Sequence, residues 1–283
     1  MKVFHRAQDL QRYLSNLRTN NRSVGFVPTM GALHQGHLSL VELSRLKNQV
    51  TVVSIFVNPT QFNDAADLEK YPRTPGKDIE LLDTVGCEVV FLPTVEEVYP
   101  NGLDQKIQAL DFGQLEKVME GAMRPGHFAG VAHVVERLLD LTRPDRLYMG
   151  QKDYQQVAII RSMIAQREID VKLVVGPTVR EVDGLAMSSR NVRLNENLRD
   201  RAAELSRVLS DAKSAILAGG LPPEVAARSS DLLAALPGFK VEYFEVFDGD
   251  SLQPVSEAKA ESIVIALAVW VGDVRLIDNV IVR

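Results

Sequence analysis

The sequence predicts an α/β fold: a parallel sheet wrapped by helices over residues 1–178, then a smaller α+β domain over residues 179–283. Three observations carry this. Short apolar runs rich in Val alternate with amphipathic stretches as far as Val175, the pattern of strands joined by crossover helices. Val50–Val57 is β-branched and apolar at nearly every position, as a strand buried on both faces requires. Beyond residue 180 the order changes to helices followed by strands, with Gly272-Asp273 set between the last two as a two-residue hairpin turn.

Taken in order, Arg6–Arg18 carries Leu10, Tyr13, Leu14 and Leu17 at helical spacing. Val24–Val27 reads as a buried strand, Leu38–Leu46 as a helix, and Val50–Val57 as the central strand. Asp78–Val85 is helical and Cys87–Leu92 is a strand. Val131–Leu141 (helix), Leu147–Met149 (strand), Val157–Gln166 (helix) and Val171–Val175 (strand) complete the first domain, which Gly176-Pro177 closes. Asn195–Ala218 reads as one long helix stopped by Gly219-Gly220, and Pro223–Leu236 as a second. Val241–Phe247, Ser262–Val271 and Val274–Ile277 are the late strands.

A formal net charge of -5 argues against a surface for a phosphate backbone, so nucleic acid is not an expected partner, while a local basic pocket for a small anion stays open. There is no apolar run of transmembrane length and no apolar leader core near the N-terminus, so no membrane association is expected. The single cysteine, Cys87, excludes an intrachain disulfide and sits beside an apolar run, which predicts an inert buried thiol and fits a reducing cytoplasm.

The chemistry concentrates in Phe26-Val-Pro-Thr-Met30-Gly-Ala-Leu-His34-Gln-Gly-His37. A strand ends in a Gly-punctuated turn, and two histidines follow at the start of a helix. There, unpaired N–H groups and the positive dipole end attract phosphate. Two helix-surface residues, a capping accident or a metal pair are the competing readings, and a metal pair lacks a third ligand in the motif. Asn58-Pro-Thr-Gln61 follows the central strand; its amides suit a substrate with hydroxyl and carboxylate oxygens, or else form a solvated Asn-Pro turn. Arg124-Pro-Gly-His127-Phe-Ala-Gly130 reads as a non-helical run, either a mobile lid or an ordinary loop. In Gly150-Gln-Lys152-Asp153-Tyr-Gln-Gln156, Lys152 is a point cation for phosphate and Asp153 an acceptor for ribose, or else a solvated charge and an N-cap. Met187-Ser188-Ser189-Arg190 groups two hydroxyls and a guanidinium, as an oxyanion loop or a Ser-rich turn.

Together with Tyr71-Pro-Arg-Thr74 and the terminal Arg275-Leu-Ile-Asp-Asn279, these motifs occur in an order that resembles the pantoate–β-alanine ligase family, within the nucleotidyltransferase-like group that carries H-x-G-H. The resemblance implies a Rossmann-like nucleotide-binding domain. It also implies an ATP-dependent ligase that joins (R)-pantoate to β-alanine through pantoyl-adenylate, releasing AMP and pyrophosphate. On the family pattern His34, His37, Lys152 and Arg190 act on the phosphates with Ser188 and Ser189, and Gly150 and Asp153 hold the ribose. Backbone at Val179 and Met187 meets adenine, and Asn58, Gln61 and Gln156 line the pantoate site with Met30 against the gem-dimethyl group. Mg²⁺ accompanying ATP and a homodimer are implied as well; the metal's ligands are not. Because the Met187–Asn191 loop joins the two domains and carries the phosphate residues, the second domain is expected to close as a lid hinged about 177–184 and exclude water from the adenylate. A nucleotidyltransferase acting on a phosphorylated acceptor needs a more basic pocket than these amides provide. An RNA-binding paralogue needs a Lys- and Arg-rich appendage that is lacking here.

Overall fold

The structure, a computed structural model of the chain, describes residues 1–62, 65–103, 110–258 and 260–283. Its elements run β1 (Lys2–Phe4), α1 (Ala7–Thr19), β2 (Val24–Thr29), α2 (Gln35–Arg45), β3 (Val50–Ile55), α3 (Ala65–Lys70), α4 (Pro75–Thr84), β4 (Val89–Phe91), α5 (Val95–Val98), α6 (Met119–Met123), α7 (His127–Thr142), β5 (Arg146–Gly150), α8 (Tyr154–Gln166) and β6 (Lys172–Gly176). The later part contributes α9 (Glu196–Ala202), α10 (Glu204–Leu217), α11 (Pro222–Ala234), β7 (Phe239–Asp248), β8 (Ile263–Val271) and β9 (Val274–Ile281).

The chain forms two compact units. The first comprises Met1–Phe112, Arg124–Gly150 and Gln156–Pro177. Its sheet has the strand order β1-β4-β3-β2-β5-β6, parallel throughout. The chain builds outward from β2 through β3 and β4, then returns to place β5 on the other side of β2. That reversal makes the β2/β5 boundary the topological switch point, where ligands of open α/β sheets bind outside the carboxyl ends of the strands. Every residue of β3 is buried, as its apolar run requires. Val27, Val41, Val53, Leu82, Val90 and Tyr148 are fully buried together between the sheet and its helices. Cys87 lies in the same cluster, where burial pushes its thiol up to about 12 and keeps it protonated.

The second unit holds Thr178–Arg283 together with two short segments from earlier in the chain, Gly113–Met123 and Gln151–Gln155. Its antiparallel sheet, β7-β8-β9, turns at Gly272, where φ is +58°. Leu205, Val208, Leu209, Ile216 and Leu233 cover the apolar face supplied by β8. The two borrowed segments fall inside the stretch 1–178 expected to form the first domain, and long-range pairing draws them away. The Arg275 guanidinium donates to both Glu120 oxygens at 2.8 Å, Tyr243 Oη donates to Glu120 at 2.8 Å, and the Gln155 side chain donates to the carbonyls of Leu115 and Val118. Burial and the adjacent Glu120 carboxylate raise the Tyr243 pKa well above the ordinary phenol value.

Two local expectations are corrected. The helix expected over Asn195–Ala218 is two helices that meet at Ala203, with Asn195 capping the first by accepting from the Leu198 N–H at 3.0 Å. The run 124–130 is not a loop throughout. Gly126, at φ +80°, turns the chain into α7, which begins at His127, and Phe128, Gly130 and Val131 continue its buried face. β1 is a three-residue strand at the edge of the sheet.

Candidate active site

In the first unit the switch point is occupied by the residues that follow β2. Gly31 (φ +80°) and Ala32 (φ +48°) are both left-handed, which swings the chain away from the line of the strand before α2 begins. The Asp78 carboxylate, from α4, holds this turn. It accepts the Ala32 N–H at 3.0 Å, the Leu33 N–H at 2.8 Å and the Thr74 hydroxyl at 3.2 Å. Asp78 is buried, and nothing local in the sequence marks it, because its partner Leu33 lies 45 residues away.

His34 is the N-cap of α2. Its Nδ1 accepts the Gly36 N–H at 3.1 Å, and His37 Nδ1 accepts the His34 N–H at 3.3 Å. The imidazoles thus replace the Ser and Glu of an ordinary capping box. Their rings lie 4.1 Å apart, centre to centre. An Nδ1 that accepts carries no proton, so in each ring the N–H is on Nε2, and each ring has a donor at the edge away from the cap. Gly150 ends β5 on the other side of the switch point, and a Cβ there would meet nothing within 4 Å. Its backbone is therefore open to close approach by a ligand.

Beyond β3, the amides separate into two roles. Asn58, expected in the pantoate site, is 1% exposed and uses both polar atoms internally. Its Oδ1 accepts from Thr60 and from Tyr99 Oη (3.0 Å), while Nδ2 donates to the Gly130 carbonyl at 3.3 Å and to Gln61 Oε1 at 3.3 Å. This geometry makes it a brace for the turn Pro59–Gln61. The Gln61 amide nitrogen lies 2.8 Å from Met30 Sδ, which brings these two residues together. His127 accepts from Arg124 at Nε2 (3.2 Å) and donates from Nδ1 to the Gln61 carbonyl at 2.8 Å. A Cβ at Gly130 would clash with the Thr60 carbonyl, so α7 packs hard against the same turn. A cavity of about 250 Å³ opens beside Met30, lined by Phe56, Arg73, Thr74, Asp78, Leu92 and Thr94 among others. Gln156 is half-buried on the first turn of α8.

In the second unit, a 3₁₀ turn, Gln151–Asp153, presents Lys152 and Asp153, whose charged atoms lie 3.7 Å apart. The stretch after Pro177, expected to serve as a hinge, is a hydrogen-bonded hairpin. Met187 donates to the Val179 carbonyl (3.0 Å) and Glu181 to the Leu185 carbonyl (2.8 Å), with Gly184 at φ +93° in the turn. Asp183 accepts from Arg199 and from the Leu185 N–H, which holds its carboxyl below the usual range, chiefly through the arginine bond. The hairpin delivers Ser188, Ser189 and Arg190 in sequence, with the Arg190 N–H bonded to Ser188 Oγ at 3.3 Å. Among the described residues no group of three or more His, Cys, Asp or Glu is placed to hold a metal ion, and no helix is long and apolar enough to cross a membrane.

The family model for pantoate-beta-alanine ligase matches residues 2–281. The pantothenate synthetase of Bacteroides fragilis is 48% identical over 281 residues, covering 99% of this chain and 98% of that protein. That of Thermosipho africanus is 41% identical with full coverage of both. Among solved structures, the pantothenate synthetase of Thermus thermophilus superposes with a TM-score of 0.93 at 40% identity and 100% coverage of both chains. The Francisella tularensis pantoate-beta-alanine ligase, solved with β-γ ATP and β-alanine, gives 0.82 at 35% identity, covering 100% of this chain and 98% of that one. A site built at the switch point of a parallel sheet, a paired-histidine helix start and a full-length match in sequence and fold converge: this chain belongs to the pantoate–β-alanine ligase family.

Proposed function

We propose that this ligase couples pantoate to β-alanine in two displacements whose catalysis is positioning and charge stabilisation rather than proton abstraction. A pantoate carboxylate oxygen attacks the α-phosphorus of ATP, the α–β bridging bond breaks, and pyrophosphate leaves with the electron pair. The β-alanine nitrogen, as the neutral amine, then attacks the acyl carbon of the adenylate, a C–N bond forms, and AMP departs with the former carboxylate oxygen while the proton released from nitrogen passes to solvent. Carboxylate is already a nucleophile, so the first step asks for no base. It asks for donors fixed where charge grows.

The observation that carries this reading is the reciprocal His34–His37 cap, which leaves each ring with its N–H on Nε2 at a helix N-terminus. In the first unit we assign His34 and His37 to the phosphates, the open backbone at Gly150 to the ribose, and Gln61, Gln156 and Met30 to pantoate, with Asn58 acting only through Gln61. In the second unit we assign Lys152, Ser188, Ser189 and Arg190 to the phosphates and Asp153 to the ribose. Because the Met187 amide and the Val179 carbonyl bond each other, adenine is assigned to the remaining backbone edge of Val179 and Met187. Mg²⁺ belongs to this reading as part of the MgATP substrate. The homodimer that the family resemblance implies and the cytoplasmic location that the single cysteine fits go with the same reading.

The testing experiment is isotope exchange between pyrophosphate and ATP. Exchange that requires pantoate and proceeds without β-alanine is expected. Exchange that appears only with all three substrates present would contradict a discrete adenylate.

Gln61→Ala and Gln156→Ala are expected to raise the KM for pantoate by roughly 10- to 100-fold and that for ATP little, since a hydrogen bond to a carboxylate is worth about 1.5–3 kcal/mol. Equal changes in both constants would show that these amides do not serve the acceptor.

A further inference from the structure

Two adjacent residues of β9, Asp278 and Asn279, are polar and yet each only 2% exposed. Asn279 reaches the turn that carries Lys152. Its Nδ2 donates to two successive carbonyls, those of Gln151 (3.0 Å) and Lys152 (2.8 Å), and its Oδ1 accepts from Gln151 Nε2 at 3.2 Å. Asp278 takes the other element. Its carboxylate receives both arms of the Arg180 guanidinium, at 2.6 and 3.0 Å, and it also accepts the Asn279 N–H at 2.8 Å. Arg180 in turn donates to the Asn279 carbonyl at 3.3 Å and, within its own hairpin, to the Gly184 carbonyl at 3.1 Å, so one guanidinium both ties the hairpin 179–187 to β9 and braces its turn. All these groups lie in the second unit.

We propose that Asp278 and Asn279 form a two-residue bracket that keeps one spacing between the Lys152 turn and the hairpin ending in Ser188-Ser189-Arg190, making both of them positioning residues for the ATP-binding cations. The inference rests on the assignment of Lys152 and the 188–190 loop to ATP. The chain supplies no local means of fixing this spacing. The turn 151–153 and the hairpin are each short and are separated in sequence by the whole of α8 and β6. A strand of the unit's own sheet that bonds the backbone of one and the guanidinium of the other sets both against a common, rigid reference. Holding the pair costs the burial of a carboxylate. Burial raises the Asp278 pKa, while the charges of Arg180 and Lys152 oppose the rise. A buried carboxylate kept at that cost is more than a filler for the strand.

The test is Asn279→Asp, which keeps the size of the side chain but sets a carboxylate against two carbonyls. Pantoate-dependent pyrophosphate exchange is expected to fall by about 10- to 100-fold, the cost of misplacing a group by about an ångström, with the KM for pantoate changed by less than about twofold. The distinguishing measurement is a cycle with Lys152→Met, read both as exchange rate and as calorimetric affinity for a non-hydrolysable ATP analogue. In the Lys152→Met background, Asn279→Asp should cost less than about threefold, because the group it positions is gone. Equal losses in both backgrounds, or normal exchange by Asn279→Asp, overturn the bracket. If circular dichroism shows that Asn279→Asp does not fold, Asn279→Ser is put through the same cycle, and the same two outcomes decide for or against the bracket. Lys152→Met with undiminished exchange would instead mean that the ATP assignment of Lys152 has failed. A damaging Lys152→Met beside a harmless Asn279→Asp would mean that only the bracket has.

Discussion

His37→Ala and Lys152→Ala are each expected to lower the rate of adenylate formation by about 10²-fold or more, with smaller effects on the KM of either substrate. Both groups are assigned to charge that develops only as the α–β bond breaks, and a donor that strengthens in the transition state shows in kcat rather than in ground-state binding. For His37 the geometry adds a second consequence. Its Nδ1 accepts the His34 N–H, so truncation also loosens the cap that orients His34. His37→Ala should therefore be at least as damaging as His34→Ala, whose own loss removes a cap bond to Gly36 but leaves His37 on the helix. Thermal unfolding separates this from instability, since loss of one cap costs only about 1 kcal/mol. Near-normal kcat in a folded variant would remove that residue from the mechanism.

Asp78→Ala is expected to damage both stability and activity. The carboxylate is 1% exposed and accepts two backbone N–H groups and a hydroxyl. Its removal leaves the Leu33 N–H without its acceptor and frees Ala32 from a left-handed conformation that a residue with a Cβ does not favour. Each bond to a charged acceptor is worth about 1.5–3 kcal/mol, and since the three share one site their loss is less than additive, giving about 3–4 kcal/mol. At about 2–4 °C per kcal/mol this is a fall of roughly 6–16 °C in the unfolding midpoint. Because the same turn places His34, exchange activity should fall even well below the new midpoint. A variant with an unchanged midpoint and full exchange would show that the carboxylate does not hold the turn.

The elements legible in the sequence are those whose burial pattern is local. β3 is apolar because both its faces are covered, and α1 repeats its leucines because one face is. The H-x-G-H start is legible because capping and dipole effects act within one turn of helix. Other features depend on partners far along the chain. The segment containing Glu120 carries no mark that its carboxylate pairs with Arg275, 155 residues later, so its membership of the second unit is invisible in sequence. Asn58 shows what residue type alone leaves out. An Asn after a central strand looks like a ligand, and only the structure shows Tyr99 and the Gly130 carbonyl consuming it. In sequence His127 reads as one side chain of a loop. Its place in a helix, bonded to the Gln61 carbonyl, follows from the packing of Gly130 against Thr60.

The route of one oxygen atom tests the central claim most directly. Pantoate labelled with ¹⁸O in both carboxylate oxygens is turned over with ATP and β-alanine, and the products are weighed by mass spectrometry. Attack of the carboxylate on the α-phosphorus predicts one ¹⁸O in every AMP, one in the new amide carbonyl and none in pyrophosphate. AMP free of label, or label in pyrophosphate, would show that the carboxylate is not activated as an adenylate and would contradict the account.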